Sequence, residues 1–204
     1  VEKVKNKITN HFDNSITFRK VDYVGPQIGE ELIFNGSMAL GLAFIGIMIY
    51  IWLRFEWQFG LGAIIALLHD VIIIMGFYSL LSLEFNISSI AAILTIIGYS
   101  INDSVVIYDR IRENLRKYRK RNLEDVLNLS INNTLSRTIL TAGTTIVALL
   151  ALVFYGGDAI YGLSIAVLLG VIFGTYSSIY IASPILKVIG YKRPNEYDEQ
   201  QNSA

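Results

Sequence analysis

The chain has 204 residues, of which 53% are hydrophobic and only 17% charged, and its mean hydropathy is +0.48. That is too apolar for an ordinary water-soluble domain and points to several membrane spans. Seventeen basic residues balance seventeen acidic ones and there is no cysteine, which removes a global field for nucleic acid and excludes disulfides, thiol chemistry and cysteine metal sites.

The first 35 residues read as a helix followed by a strand. "VEKVKNKITNHF" places Val1, Val4, Ile8 and Phe12 on one helical face, and "SITFRKVDYV" alternates apolar and polar residues. Such a segment is too short to bury a core of its own. Together with a start that has neither Met nor a signal peptide, this suggests a fragment, with residues 1–35 the remnant of an exterior domain. "GPQIGEEL" is expected to turn the chain toward the first span.

Five apolar stretches follow, near 36–53, 59–83, 85–108, 135–155 and 159–186, each close to or above the roughly 20 residues that cross a bilayer. Trp52 and Trp57 flank the first connection, where amphipathic rings favour the headgroup region. The last stretch is longer than one crossing needs and carries Pro184 near its end, so it is expected to tilt or kink. The connection 109–134 holds Arg110, Arg112, Arg116, Lys117, Arg119, Lys120 and Arg121, whereas 82–86 and 155–159 have no Lys or Arg. The positive-inside rule then places the N-terminal segment outside and the tail, 191–204, in the cytoplasm. The five basic residues of 1–35 conflict mildly with this, but the rule is weak for larger translocated domains.

Four ionisable residues fall inside the spans: His69, Asp70, Asp103 and Arg137. A lone carboxylate at a helix centre costs roughly 2.5 to 3.5 kcal/mol on insertion scales. Spans three and four run in opposite directions, which brings Asp103 and Arg137 to similar depth. Each belongs to a polar or small stripe: Ala92, Thr95, Tyr99 and Ser100 with Asp103, and Thr134, Thr141, Thr144 and Thr145 with Arg137. Asp70 shares a face with Gly62 and Ala66, and His69 points about 100° away from it. One reading is a proton relay, in which the state of Asp103 is set by loss of hydration against the proximity of Arg137. The other is a static buried ion pair that fixes helix packing. Gly170 and Gly174 form a small-residue packing motif, and the 110–121 run reads as a topology signal facing headgroups. No phosphate loop, metal cluster or nucleophile with its base stands out, so an enzyme is not expected.

Four segments, "VGPQIGEEL" (24–32), "LRFEWQFGLGAIIALLHDV" (53–71), "LTIIGYSINDSVVIYDRIREN" (94–114) and "LSRTILTAGTT" (135–145), resemble the SecF family, the smaller partner of SecD in bacterial protein export, within the resistance-nodulation-division (RND) superfamily. The resemblance implies an all-α polytopic membrane protein with five transmembrane helices of a six-helix RND-type bundle (36–190 here), preceded by a truncated piece of an α+β ferredoxin-like exterior domain. It implies an accessory subunit that uses the proton gradient, acting with SecD, and through it SecYEG and YajC, to complete export of preproteins across the bacterial cytoplasmic (inner) membrane. By the same resemblance Asp103 and Arg137 match essential intramembrane residues, with Asp70 and His69 as further relay candidates. Tyr99, Ser100, Asn102, Thr141 and Thr144 form the supporting polar stripe. No cofactor or metal is implied, the coupling ion being H⁺ or Na⁺; the lipid bilayer is a partner and nucleic acid is not. Two other readings are a proton-coupled RND-type exporter of small or lipid molecules and a passive scaffold for neighbouring subunits.

Overall fold

The structure is a computed structural model that describes residues 26–191. The expected ferredoxin-like piece, up to residue 25, and nearly all of the tail lie outside the described residues. By contacts the chain divides into two units, Val1–Met38 and Ala39–Ala204; the packing below is that of the second.

Every regular element among the described residues is helical. They are α1 (Pro26–Arg54), α2 (Trp57–Leu80), α3 (Ile87–Lys117), α4 (Leu123–Tyr155), α5 (Asp158–Ser177), a π-helical turn (Ser178–Ala182) and α6 (Ser183–Val188). Five helical stretches among these residues are long and apolar enough to cross a membrane: Ile33–Arg54, Trp57–Leu80, Ile87–Lys117, Leu123–Tyr155 and Asp158–Val188.

The helix ends have local causes. Helix α1 begins at Pro26, so the expected turn at Gly25-Pro26 lies partly outside the described residues; a proline in the first turn gives up no intrahelical bond, and its fixed φ suits that position. Asn86 caps α3 by accepting from the Ser88 and Ser89 amides (2.9 and 3.3 Å), while its own amide donates to Ser89 Oγ (3.0 Å). This reciprocal box satisfies donors that would otherwise be bare. Glu124 and Asp125 occupy the first turn of α4, where negative charge suits the helix dipole. Helices α3 and α4 extend well past their apolar runs, leaving 118–122 as the link between them. The last span does not bend at Pro184 alone. The π-helical turn immediately precedes it, widening the helix where the proline ring and missing N–H would disrupt regular bonding.

The interior forms two apolar clusters. At the end bearing Arg54, Ile51, Phe55, Phe59, Tyr108, Ile111, Val126 and Leu186 pack together. Phe59 meets Tyr108 edge-on at 5.1 Å and Tyr191 at 5.4 Å, geometries favoured by the ring quadrupoles. Toward the other end, Leu67, Ile74, Ile93, Ile96, Ile97 and Val171 form the second cluster. A Cβ at Gly170 would collide with the Ile96 side chain, and one at Gly174 would press on Ser100 Cβ at 3.2 Å. These glycines let α5 lie directly against α3.

Candidate functional site: a polar layer between two apolar clusters

Between the clusters the buried side chains change character. Helix α3 contributes Ser100, Asp103 and Ser104; α4 contributes Ser130, Thr134 and Thr138; α5 and the turn after it contribute Ser177 and Ser178. Asp70 enters from α2 and is fully buried. With no water in a bilayer core, each of these groups must find a partner in the protein.

Asp103 sits between α3 and α4. Its Oδ1 accepts a hydrogen bond from Thr138 Oγ1 at 2.8 Å, whereas Oδ2 is buried without a partner. The Tyr99 hydroxyl, one turn earlier on the same helix, is likewise buried and unpaired. The expected ion pair with Arg137 does not form: the ion pairs among the described residues involve neither side chain. Arg137 is exposed, and the adjacent Thr138 takes the inward position. The reason is helix phase. The buried face of α4 runs through Val126, Ser130, Thr134, Thr138 and Ala142, a four-residue spacing that leaves Arg137 about 100° off. The same phase puts Thr141 and Thr144 outside, where they donate to their own helix at Arg137 and Leu140 carbonyls (3.0 and 2.9 Å). Asn102 is also exposed.

Asp70 reaches α3 from α2, about one turn before Asp103. Its Oδ2 accepts from Ser100 Oγ at 2.6 Å and from Ser177 Oγ at 2.8 Å, and its Oδ1 is 3.1 Å from His69 Nδ1. His69 is thus turned back to its sequence neighbour, with its ring 6.4 Å from that of Tyr176. A serine set continues toward the basic end. Ser178 Oγ is 2.9 Å from Ser104 Oγ and donates to the Ser100 carbonyl (3.2 Å), and Ser183 Oγ donates to the Ser178 carbonyl (3.3 Å). Tyr108 donates to the Ala182 carbonyl (3.1 Å) in the widened turn. Gly62 makes room there, since a Cβ would come within 2.6 Å of the Tyr108 hydroxyl.

The four ionisable residues therefore do not form one hydrogen-bonded chain. His69, Asp70, Ser100 and Ser177 make one network, Asp103 and Thr138 another, and Arg137 belongs to neither. Thr138, Ser104, Ser177, Ser178 and Tyr108 are site residues that the sequence reading did not single out. The four-residue spacing from Ser130 to Thr138 is the signal that locates the first of them.

Buried carboxylates at mid-helix in a bundle of membrane-length helices define a polytopic membrane protein built around intramembrane ionisable groups. The chain belongs to the family described as "Protein export membrane protein SecD/SecF, C-terminal", whose model matches residues 3–192. It is 59% identical over 193 residues to Protein translocase subunit SecF of Rickettsia bellii (strain OSU 85-389), covering 95% of this chain and 64% of that protein. The same subunit of Rickettsia felis is 57% identical over 196 residues, covering 96% and 64%. The chain thus spans less than two thirds of these relatives. Among solved structures, SecDF from Thermus thermophilus, titled a translocon-associated membrane protein, superposes with a TM-score of 0.83 at 42% identity, covering 94% of this chain and 27% of that one. SecDF in its "super-membrane-facing form" gives 0.79 at 38% identity, covering 99% and 27%. The family and the helices together make this a multi-pass membrane protein of the protein-transport class.

Proposed function

We propose that the chain is part of a proton-driven accessory subunit of the Sec machinery, working with a SecD partner to complete preprotein export across the cytoplasmic membrane. The observation that carries this reading is the asymmetry of Asp103: one carboxylate oxygen is held by Thr138 and the other is buried and bare. A bare buried oxygen is costly when the acid is ionised and is the natural place for a proton to bind. Uptake there removes a charge from the bundle while the Thr138 contact holds the side chain in place. Arg137, exposed one residue before Thr138, is the cation available to the ionised acid when α3 and α4 shift against each other. A proton that binds one arrangement better than the other biases that shift, and the membrane potential adds about 2.3 kcal/mol per charge per 100 mV.

The SecD partnership is supported by the solved relatives, where the matching region is 27% of a chain titled SecDF. The basic residues of 110–121 support a cytoplasmic α3–α4 link. The subunit carries no catalytic group in this reading, and H⁺ is the coupling ion.

The test is a secretion assay with Asp103→Asn in the full-length subunit, with and without an uncoupler. The variant is expected to assemble with its partner yet lose gradient-dependent stimulation of export. Normal, uncoupler-sensitive export would reject the reading in favour of a packing role.

A further inference from the structure

Asp70 stands apart from the Asp103 pair, and its surroundings have two arrangements built into them. Ser177 Oγ has a single proton and two acceptors within reach: Asp70 Oδ2 at 2.8 Å and, in its own helix, the Gly174 carbonyl at 3.1 Å. Ser177 is also the last residue before the π-helical turn. That turn is fastened to α3 through Ser178, which reaches Ser104 and the Ser100 carbonyl, and through Tyr108 on the Ala182 carbonyl. Widened turns of this type are frequent at functional sites.

We propose that Asp70, held by Ser100 and Ser177, is a second proton-binding centre, independent of Asp103, whose occupancy decides which acceptor Ser177 serves and thereby the setting of the π-helical turn. With Asp70 ionised, both serines and the His69 ring donate to it and Ser177 is drawn toward α2. With a proton on Oδ2, that oxygen becomes a donor. Ser177 then returns its proton to the Gly174 carbonyl, the usual back-bond of a helical serine, and the charge-assisted bond that fastens α2 to α5 is lost.

The groups around the acid fit a proton-binding role. On α2 the neighbour is His69, the one ion-pair partner of Asp70 among the described residues. Its side chain is 29% exposed while that of Asp70 is fully enclosed, so the imidazole is the port through which the proton enters and leaves. On α3 the facing group is Ser100, with Tyr99 beside it and Asp103 three residues on. On α5 the facing groups are Gly174 and Ser177, with Tyr176 against the His69 ring. Among the described residues no Lys or Arg pairs with Asp70, so a proton held by Asp70 or by His69 is what neutralises the carboxylate. A bound metal ion would need oxygen lone pairs on all sides, whereas the Ser100 and Ser177 hydroxyls here donate to the acid.

The proposal shares with the function above only the choice of the proton as ion. The test therefore uses an Asp103→Asn background, in which Asp103 contributes nothing. The full-length subunit with its partner, in lipid bilayers, is followed by infrared spectroscopy across a pH series. In parallel, spin labels at Glu124→Cys and Lys187→Cys report the distance between α4 and α6; that exposed pair, 2.6 Å apart, contributes little to stability. A protonated-carboxyl band that titrates together with a change in the label distance is expected. Both are expected to vanish when Asp70→Asn is added. A folded Asp70→Asn complex that keeps the titrating band, or keeps the distance change, overturns the proposal. If Asp70→Asn does not fold, Ser177→Ala takes its place: a shifted titration midpoint is expected, and an unmoved one overturns the proposal. Replacing K⁺ by Na⁺ at constant pH is expected to leave the band unchanged; a sodium-dependent loss of the band would assign the site to the metal ion and overturn it as well.

Discussion

Thr138 donates to Asp103 across the α3–α4 interface at 2.8 Å, and among the described residues it is the one hydrogen bond that either oxygen of this acid receives. A threonine, not the neighbouring arginine, is therefore what holds the acid in this state.

Removing that hydroxyl with little change of shape is the direct test. Thr138→Val should leave both Asp103 oxygens unpaired and destabilise the folded subunit by about 1–3 kcal/mol, read as a lower unfolding temperature in detergent. Thr138→Ser keeps the donor and should retain most of the stability and of the export stimulation.

Arg137 should tolerate replacement poorly for a different reason. It contributes no ion pair to this state, so Arg137→Lys should leave unfolding almost unchanged. Export stimulation should nevertheless fall well below that of the parent, because a lysine cannot reproduce the planar fork that meets a carboxylate with two bonds. Unfolding and secretion measured on the same preparation separate the two effects.

Helix contact makes a third prediction. Gly170→Ala drives a methyl group into Ile96 and should cost about 1–3 kcal/mol, as overpacking does. Gly143→Ala, on the open face of α4 with nothing within 4 Å, should be neutral or slightly stabilising, since alanine is favoured over glycine in a helix by about 1 kcal/mol. Thermal unfolding of the pair distinguishes local collision from a general effect of glycine loss.

Tyr108→Phe deletes the donor to the Ala182 carbonyl while preserving the ring contact with Phe59. The buried Ala182 carbonyl would lose that donor, at about 0.5–1.5 kcal/mol. Faster amide hydrogen exchange in 178–186, with unchanged exchange in the first half of α2, is the expected signature.

The sequence reading located the acids and the helices but not the rotation of α4. Long apolar runs and charges inside them are visible without any structure, because hydropathy alone decides both. The inward face of α4 is harder. Thr134, Thr138, Thr141, Thr144 and Thr145 fall within one arc of about 120° that also holds Arg137, so polarity alone cannot choose among them. Centring the stripe on Arg137 selected Thr141 and Thr144, which back-bond outside, and missed Thr138. Only packing of Val126, Ser130, Thr134 and Ala142 against α3 and α5 fixes the phase. The serines of α5 were missed because a serine in an apolar helix usually bonds to its own backbone; that Ser177 reaches across to Asp70 depends on the Gly174 approach, a tertiary fact.

The capped helix α3 has 31 residues, about 46 Å at the usual rise, against a hydrocarbon thickness of about 30 Å. It runs without a break from its Asn86 cap past Ser100 and Asp103 to Asp109 and Arg112, which bind Arg54 at the α1–α2 junction. Such a rod has no joint at which torque can dissipate. A few degrees of roll imposed by either acid must arrive undiminished beyond the headgroups, where it would wrench the Arg54 junction and so make two distant helices answer to one axle.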